Sequence, residues 1–598
     1  MYQAPGGLQD NDHSFIREDY VFMPKNKSSL PQALPRLLLL ALSAFLLLAL
    51  ITPNVSAAAS ASKKPKPTAM QTYVDAMQPG WNLGNTLDAT GPDETSWGNP
   101  KVTRELIKKI ADQGYKSIRI PVTWDVHIGA APNYTIEPAY LARVRQVVDW
   151  ALSEKLYVMI NVHHDSWMWV SGMEQKHDEV LARYNAVWKQ VAAVFKNYPN
   201  KLMFESINEP RFTDGNTTDE AKATAMLNEL NKSFHSIVRS SGGKNTVRPL
   251  VLPSLESSPT QERMDVLYQT ITGLKDPNLI ATVHYYGFWP FSVNIAGYTK
   301  FDADTQNDII QTFDKVHATF TAKGIAVILG EYGLLGFDQS TAAIEQGEKL
   351  KFFEFLGYYL KEKRITSMLW DNGQHFGRTT YKWSDPQLFT MIKTSWSTRS
   401  ATAESDLIHL EKGAAVKDTD ILLNLNGNKL TSLSVAGSKL KQGSDYTLSG
   451  NKLTIKAAKL ESLTKSGKLG VNAIITAKFN KGAAWTFKLT VYAQPKLSSV
   501  SGTTASFKIP TVFNGDSLAT MEAVYAAGGN AGPQNWTPYK EFAYTFSPSY
   551  STGEITLTEN FFKEVNDGEV ILKFHFWSGE IVSYKLTKSG TAVSGEAL

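Results

Sequence analysis

The chain of 598 residues contains no cysteine, which excludes disulfides, thiolate nucleophiles, cysteine zinc sites and iron–sulfur clusters together. It also lacks an excess of either charge, with 61 Lys and Arg against 57 Asp and Glu. No basic stripe interrupts that balance, so a nucleic-acid partner is not expected. No Gly-x-Gly-x-x-Gly follows the first apolar run of the folded region, which argues against a dinucleotide site. The apolar run at residues 37–51 falls short of the ~20 residues a bilayer-spanning helix needs. It follows Lys25, Lys27 and Arg36 and ends at Pro53, with small residues at Val55 and Ala57. That is the layout of a secretory signal, with an uncleaved anchor as the alternative. Residues 1–58 are therefore expected to be a leader and 59–69 a flexible lead-in. The mature protein is expected to be secreted, extracellular and free of the membrane, and to fold without oxidising machinery.

What is present is ordinary globular composition, 42% hydrophobic and 20% charged, with 14 Trp and 24 Tyr. The length implies several domains of roughly 100–200 residues. From 70 to 400, eight short apolar runs (80–85, 117–124, 157–165, 202–210, 249–256, 280–287, 326–333 and 367–373) alternate with amphipathic stretches such as 140–155, 179–197, 220–240 and 345–363. Alternating strands and helices make right-handed βαβ units, and eight of them predict a closed (β/α)8 barrel, a TIM barrel of the α/β class. After Arg399 the helical period gives way to short alternating runs separated by Asn426-Gly427, Gly450-Asn451 and Ser466-Gly467. These predict two all-β sandwich domains, at 405–493 and 496–590.

In such a barrel chemistry sits where strands end and loops begin. Read in order, that rim offers Asn82 and Asn85, then Arg119 and Trp124, then His163-His164-Asp165, then Asn208-Glu209-Pro210. His284-Tyr285-Tyr286, Glu331-Tyr332 and Trp370-Asp371-Asn372 complete it. A lone glutamate ending a strand is ordinarily a solvated loop residue. Glu209 and Glu331, both at strand mouths and with Arg119, His284 and Tyr286 on the same rim, are better read as a pair facing across one pocket. Paired carboxylates are the minimum kit for cleaving a glycosidic bond, one as proton donor and one as nucleophile. His163, His164 and Asp165 could be metal ligands, but alternation along a strand would send consecutive side chains to opposite faces, so no metal is expected. Trp370 suits a sugar-stacking platform, whereas Trp124, Trp167, Trp169 and Trp289 could equally be packing.

The series Asn82-Leu83-Gly84-Asn85, Arg119-Ile120-Pro121, His163-His164, Asn208-Glu209-Pro210, His284-Tyr285-Tyr286 and Glu331-Tyr332-Gly333 resembles glycoside hydrolase family 5, in its bacterial endoglucanase and xyloglucanase subgroup. The resemblance implies a retaining endo-β-1,4-glucanase in which Glu209 is acid/base and Glu331 nucleophile, their carboxyl groups roughly 5–5.5 Å apart. It further implies that Arg119, His163, Asn208, His284, Tyr286 and Trp370 line the subsite beside the cleaved bond, with Asn85 and His164 also meeting substrate. The first β domain resembles an immunoglobulin-like module found beside cellulases. The second resembles carbohydrate-binding module family 46, with Trp536 and Trp577 as its binding candidates. The expected partner is β-glucan polysaccharide (cellulose, xyloglucan or mixed-linkage glucan), with no cofactor and a monomeric enzyme. A β-mannanase using the same residues and a non-catalytic polysaccharide-binding protein are the alternatives. The last module could also fold back to extend the catalytic cleft.

Overall fold

The computed structural model describes residues 67–212 and 219–598, so the expected leader lies outside the described residues. Eight parallel strands close into a barrel in chain order. They are β1 (Gly80–Asn82), β2 (Ser117–Ile120), β3 (Tyr157–Asn161), β4 (Leu202–Glu205), β5 (Leu250–Pro253), β6 (Leu279–Tyr285), β7 (Ala326–Tyr332) and β8 (Thr366–Leu369). Nearly every strand residue is buried, because helices cover the outer face while the strands' inner side chains fill the lumen. That double burial is why the strands read as unbroken apolar runs rather than alternating ones.

The lumen is divided by chemistry. Its lower half is apolar, built from Met159, Met203, Val251, Ile280, Ala326, Ile328 and Met368. Val74 and Met77 of the helix Ala69–Met77 close it from below. Each of the valine, isoleucine and methionine side chains, fully buried, contributes about 1.5–3 kcal/mol. The upper half is polar, and the register aligns it: Asn82 pairs with Arg119 across β1 and β2, Asn161 with Glu205 across β3 and β4, and His284 with Glu331 across β6 and β7. Side-chain caps fix where the outer helices start. Asp302 accepts from Thr305 N–H ahead of Ala303–Thr319, and Glu345 accepts from Gly347 N–H ahead of Gln346–Glu362.

The second domain packs a five-stranded sheet against a four-stranded one. Asn426-Gly427 is the tight turn expected there, both residues having positive φ (48° and 78°). Ser466-Gly467 is not a strand-to-strand turn, since it follows a helix, Ala457–Leu463, whose Ala, Lys, Leu and Glu favour that conformation. The third domain is all-β as well. Eight of its strands form one continuous path, with Lys496–Leu497 paired at its side, around Phe507, Ile509, Phe546, Leu557, Leu572, Phe574 and Tyr584.

The three domains touch one another. Arg399, at the end of the barrel, is anchored there by a fork onto Glu354 at 2.7 and 2.8 Å, and its carbonyl accepts from Asn428 Nδ2 of the second domain at 3.2 Å. Lys488 of the second domain reaches Glu345 of the barrel at 3.0 Å. Asn294, in the loop after β6, donates one amide hydrogen to Ala343 O within the barrel and the other across the interface to Ala519 O of the third domain, each at 3.0 Å.

Candidate active site

Arg119 organises the upper lumen. Its Nε donates to Glu205 Oε2 (2.8 Å), Nη1 to Asn82 Oδ1 (3.0 Å) and to Glu331 Oε1 (2.6 Å), and Nη2 to Asn208 Oδ1 (2.7 Å). Burial works against its charge, but Glu205 and Glu331 outweigh burial and hold the guanidinium above its ordinary value. A planar fork suits this work, because four acceptors from three other strands and a loop can meet it in fixed geometry. The second oxygen of Glu331 accepts from Tyr286 Oη at 2.6 Å. Burial, then the charges of Glu331 and Glu209, push the Tyr286 phenol well up, so it stays a donor.

Glu209 lies past the end of β4 with φ 36°, a left-handed conformation unusual for glutamate and costly unless its surroundings impose it. Its Oε1 is 2.8 Å from His284 Nδ1, and Arg211 approaches Oε2 at 3.7 Å. His284 also lies 3.6 Å from Glu331 Oε2, which makes it the link between the two acids. Burial opposes a proton on His284, yet Glu331 and Glu209 outweigh it and raise the imidazole. Backbone space is needed here as well. A Cβ on Gly330 would come within 2.8 Å of Thr282 Oγ1 and 2.9 Å of His284 Nε2. The register shift between Val283 and His284 against β7 adjusts the same histidine, as bulges beside active sites do.

One carboxylate oxygen of Glu209, one ring nitrogen of His284 and one carboxylate oxygen of Glu331 all lie within 4.8 Å of one another. The two acids, Glu209 just past β4 and Glu331 near the end of β7, therefore face each other across a gap the size of one bond and its substituents.

The histidines after β3 correct the sequence argument. Because β3 ends at Asn161, alternation no longer governs His163 and His164. Their rings meet edge to face at 4.4 Å, on one side, with Asp88 Oδ2 3.6 Å from His164 Nε2. His163 Nδ1 meets Asn161 Nδ2 at 2.9 Å, and Trp167 Nε1 donates to His164 Nδ1 at 3.0 Å. Burial first, then His164 and Arg119, press the His163 imidazole well down, so it is neutral. Asp165 instead starts a short helix and accepts from Trp124 N–H and Trp169 Nε1; burial pushes its carboxyl up to about 6 against those bonds.

Trp370 lies parallel to the His163 ring, centroids 6.0 Å apart, and Asn85, in a left-handed turn, is held by its N–H to Asp88. Trp124 is core. Trp289 is buried too, but its ring lies 6.1 Å from that of Trp536, which is 48% exposed. The third domain thus brings one of its two candidate tryptophans to the barrel rim. Trp577 is not brought there. It is half-buried in a hairpin turn, its N–H on Ser517 O, and the next residue, Ser578, binds Asp516. Sequence reasoning missed Glu205, Asn161, Asp88 and Trp97, the last lying 5.0 Å from the His164 ring.

Residues 83–376 match the cellulase family, glycosyl hydrolase family 5; residues 403–489 match carbohydrate binding domain X2, and 493–596 the CBM46 carbohydrate binding domain. Endoglucanase B of Paenibacillus lautus is 68% identical over 552 residues, which span 92% of this chain and 97% of that protein. The full-length tri-modular endo-β-1,4-glucanase B of Bacillus halodurans superposes with a TM-score of 0.88 at 57% identity, covering 89% of this chain and all (100%) of that one. A tri-modular family 5, subfamily 4 endo-β-1,4-glucanase of Bacillus licheniformis, solved with cellotetraose, superposes with a TM-score of 0.75 at 33% identity, over 88% and 99% of the two chains.

Proposed function

The chain belongs to glycoside hydrolase family 5, as an endo-β-1,4-glucanase followed by X2 and CBM46 modules, and on that premise we propose that it cleaves β-glucan with retention, by double displacement between Glu209 and Glu331. The observation that carries this reading is that one carboxylate oxygen of Glu209 lies within 4.8 Å of one carboxylate oxygen of Glu331. Retaining enzymes keep their carboxyl groups about 5–5.5 Å apart, whereas inverting ones need about 6.5–9.5 Å to admit a water.

The surroundings of each acid support the division of labour. Glu331 is gripped on one oxygen by Arg119 and on the other by Tyr286, which fixes its carboxylate in one orientation, as a nucleophile requires. Glu209 is more open, its side chain 15% exposed against 6% for Glu331, and it sits against His284, whose hold on a proton the two acids strengthen. Glu331 attacks the anomeric carbon while Glu209 protonates the departing oxygen, and the glycosidic bond breaks. Glu209 then takes a proton from water as that water displaces Glu331 from the sugar. Asn208, its Oδ1 held by Arg119, has its NH2 left for a sugar hydroxyl, and Trp370 offers a face to a pyranose ring.

The contact of Trp536 with Trp289 supports a cleft extended by the last module, suited to long or branched chains such as xyloglucan and mixed-linkage glucan. The protein is read as a secreted monomer. The test is kinetic: Glu331→Ala should lose activity almost completely. Glu209→Ala should keep activity on substrates with activated leaving groups and yield a β-glycosyl azide with azide. Wild-type rates in both variants would overturn the assignment. Rates measured side by side on cellulose, xyloglucan, lichenan and mannan identify the preferred glycan.

A further inference from the structure

A third carboxylate lies beneath the catalytic pair. Glu205 ends β4, a strand otherwise made of Leu202, Met203 and Phe204, and its side chain is fully buried (0% exposed). A carboxylate at the centre of a barrel is costly unless it is paired and hydrogen-bonded. Here a single oxygen does the pairing. Oε2 accepts from Arg119 Nε at 2.8 Å and from Asn161 Nδ2 at 2.8 Å. Oε1 has no hydrogen-bond partner among the described residues. Fully enclosed, Glu205 cannot meet substrate, so whatever it does passes through those two neighbours.

Both neighbours lead to the substrate pocket. Arg119 fixed at Nε has its remaining donors directed to Glu331, Asn82 and Asn208. Asn161 is oriented by Val122 N–H, which donates to its Oδ1 at 3.1 Å, so Nδ2 is the end that faces Glu205 and His163. Its second Nδ2 hydrogen therefore goes to His163 Nδ1 (2.9 Å), which makes that nitrogen the acceptor and leaves the imidazole proton on Nε2. We infer that Glu205 is a positioning residue for glycoside cleavage: it locks Arg119 and Asn161 together, and so sets the orientation of Glu331 and Asn208, the tautomer of His163 and the charge balance under the two acids. This rests on the reading of Glu331 as nucleophile and Glu209 as acid/base.

The charge balance has a direction. The titratable and charged groups of the cluster are Arg119 from β2, His163 and His164 beyond β3, Glu209 and Arg211 beyond β4, His284 and Tyr286 at the end of β6, and Glu331 on β7. With Glu205 present, the Arg119 cation is divided between two carboxylates. With Glu205 neutral, the whole cation faces Glu331 and, further off, Glu209. Both acids then release protons more readily, and Glu331 becomes the weaker nucleophile.

The experiment compares the full-length protein with Glu205→Gln and Glu205→Asp on a soluble aryl β-cellobioside from pH 4 to 9, with thermal unfolding measured alongside. For Glu205→Gln, kcat falls about 100-fold, as a small misplacement of reacting groups can cause. Both limbs of its kcat/KM profile move toward acid by about half a unit or more. Glu205→Asp keeps the charge but shortens the arm, so its limbs stay in place while kcat falls about tenfold. A loss of rate in Glu205→Gln with both limbs unmoved would reduce Glu205 to a structural residue and overturn the inference. So would a wild-type kcat in either variant. If Glu205→Gln does not fold, Glu205→Asp decides alone, a wild-type kcat again being fatal. Activity surviving in Glu331→Ala would instead overturn the nucleophile assignment on which the inference stands.

Discussion

Tyr286 donates its phenolic proton to Glu331 Oε2 at 2.6 Å, while Arg119 holds the other oxygen of the same carboxylate at 2.6 Å. The carboxylate is clamped from two sides, one donor charged and one neutral. Burial and the two nearby glutamates keep the phenol protonated far above neutral pH. A hydrogen bond to a charged group contributes about 1.5–3 kcal/mol. Tyr286→Phe should therefore lower kcat about 10- to 100-fold with little change in KM, and the factor should be the same from pH 5 to pH 8. Steady-state kinetics on a soluble oligosaccharide measures it, and an unchanged kcat would show that the Arg119 contact alone suffices.

The eight barrel strands were legible because double burial writes them as apolar runs, and the acids because each stands at the mouth of such a run. Glu205 was hidden by the same logic. Inside the run read as 202–210 it stands four residues ahead of Glu209, which drew the reading to the run's end, and only its partner Arg119, 86 positions earlier, shows it to be interior. The signal that could have found it is a charge placed before the strand's polar end rather than after it. His163 and His164 were misjudged because the strand was taken to run to residue 165, whereas it ends at Asn161. The docking of the third domain through Asn294 and Ala519 joins residues 225 apart. Local pattern carries no trace of such a contact.

That docking makes substrate-dependent behaviour testable. Trp536 reaches Trp289 only while the third domain stays against the loop after β6, and Asn294 is the buried amide that holds it there. Trp536→Ala should lower activity on xyloglucan and lichenan about three- to tenfold, the size of one lost ring contact. On a short aryl cellobioside the loss should be small. Asn294→Ala should reproduce the pattern and also lower the melting temperature, since it leaves two buried carbonyls unpaired at about 1–3 kcal/mol. Equal losses on long and short substrates would mean that the tryptophan lies outside the path of the chain.

The junction of barrel and second domain should respond to pH. Asp406 is buried against Gly347, where a Cβ would come within 2.4 Å of Asp406 Oδ1. Lys488 lies 3.0 Å from both Asp406 and Glu345. One lysine faces two acids, so one of them keeps a proton. Burial, then the charge of Glu345, push Asp406 up to about 7, while Lys488 and local hydrogen bonds hold Glu345 below its usual range despite burial. Because the folded value of Asp406 lies above its unfolded value of about 3.9, its contribution to stability is complete below about pH 4 and is lost as pH rises through about 7. His409, 3.9 Å from Asp516, is held neutral by burial and adds no charge in the upper part of that window. Melting temperature should therefore fall from about pH 5 to pH 7 in the wild type, with no further loss from this group above that. Asp406→Asn, neutral throughout, should lose most of that slope, and Gly347→Ala should lower the melting temperature at every pH by forcing the carboxyl out of its seat. Parallel slopes in the wild type and Asp406→Asn would place the proton on another group.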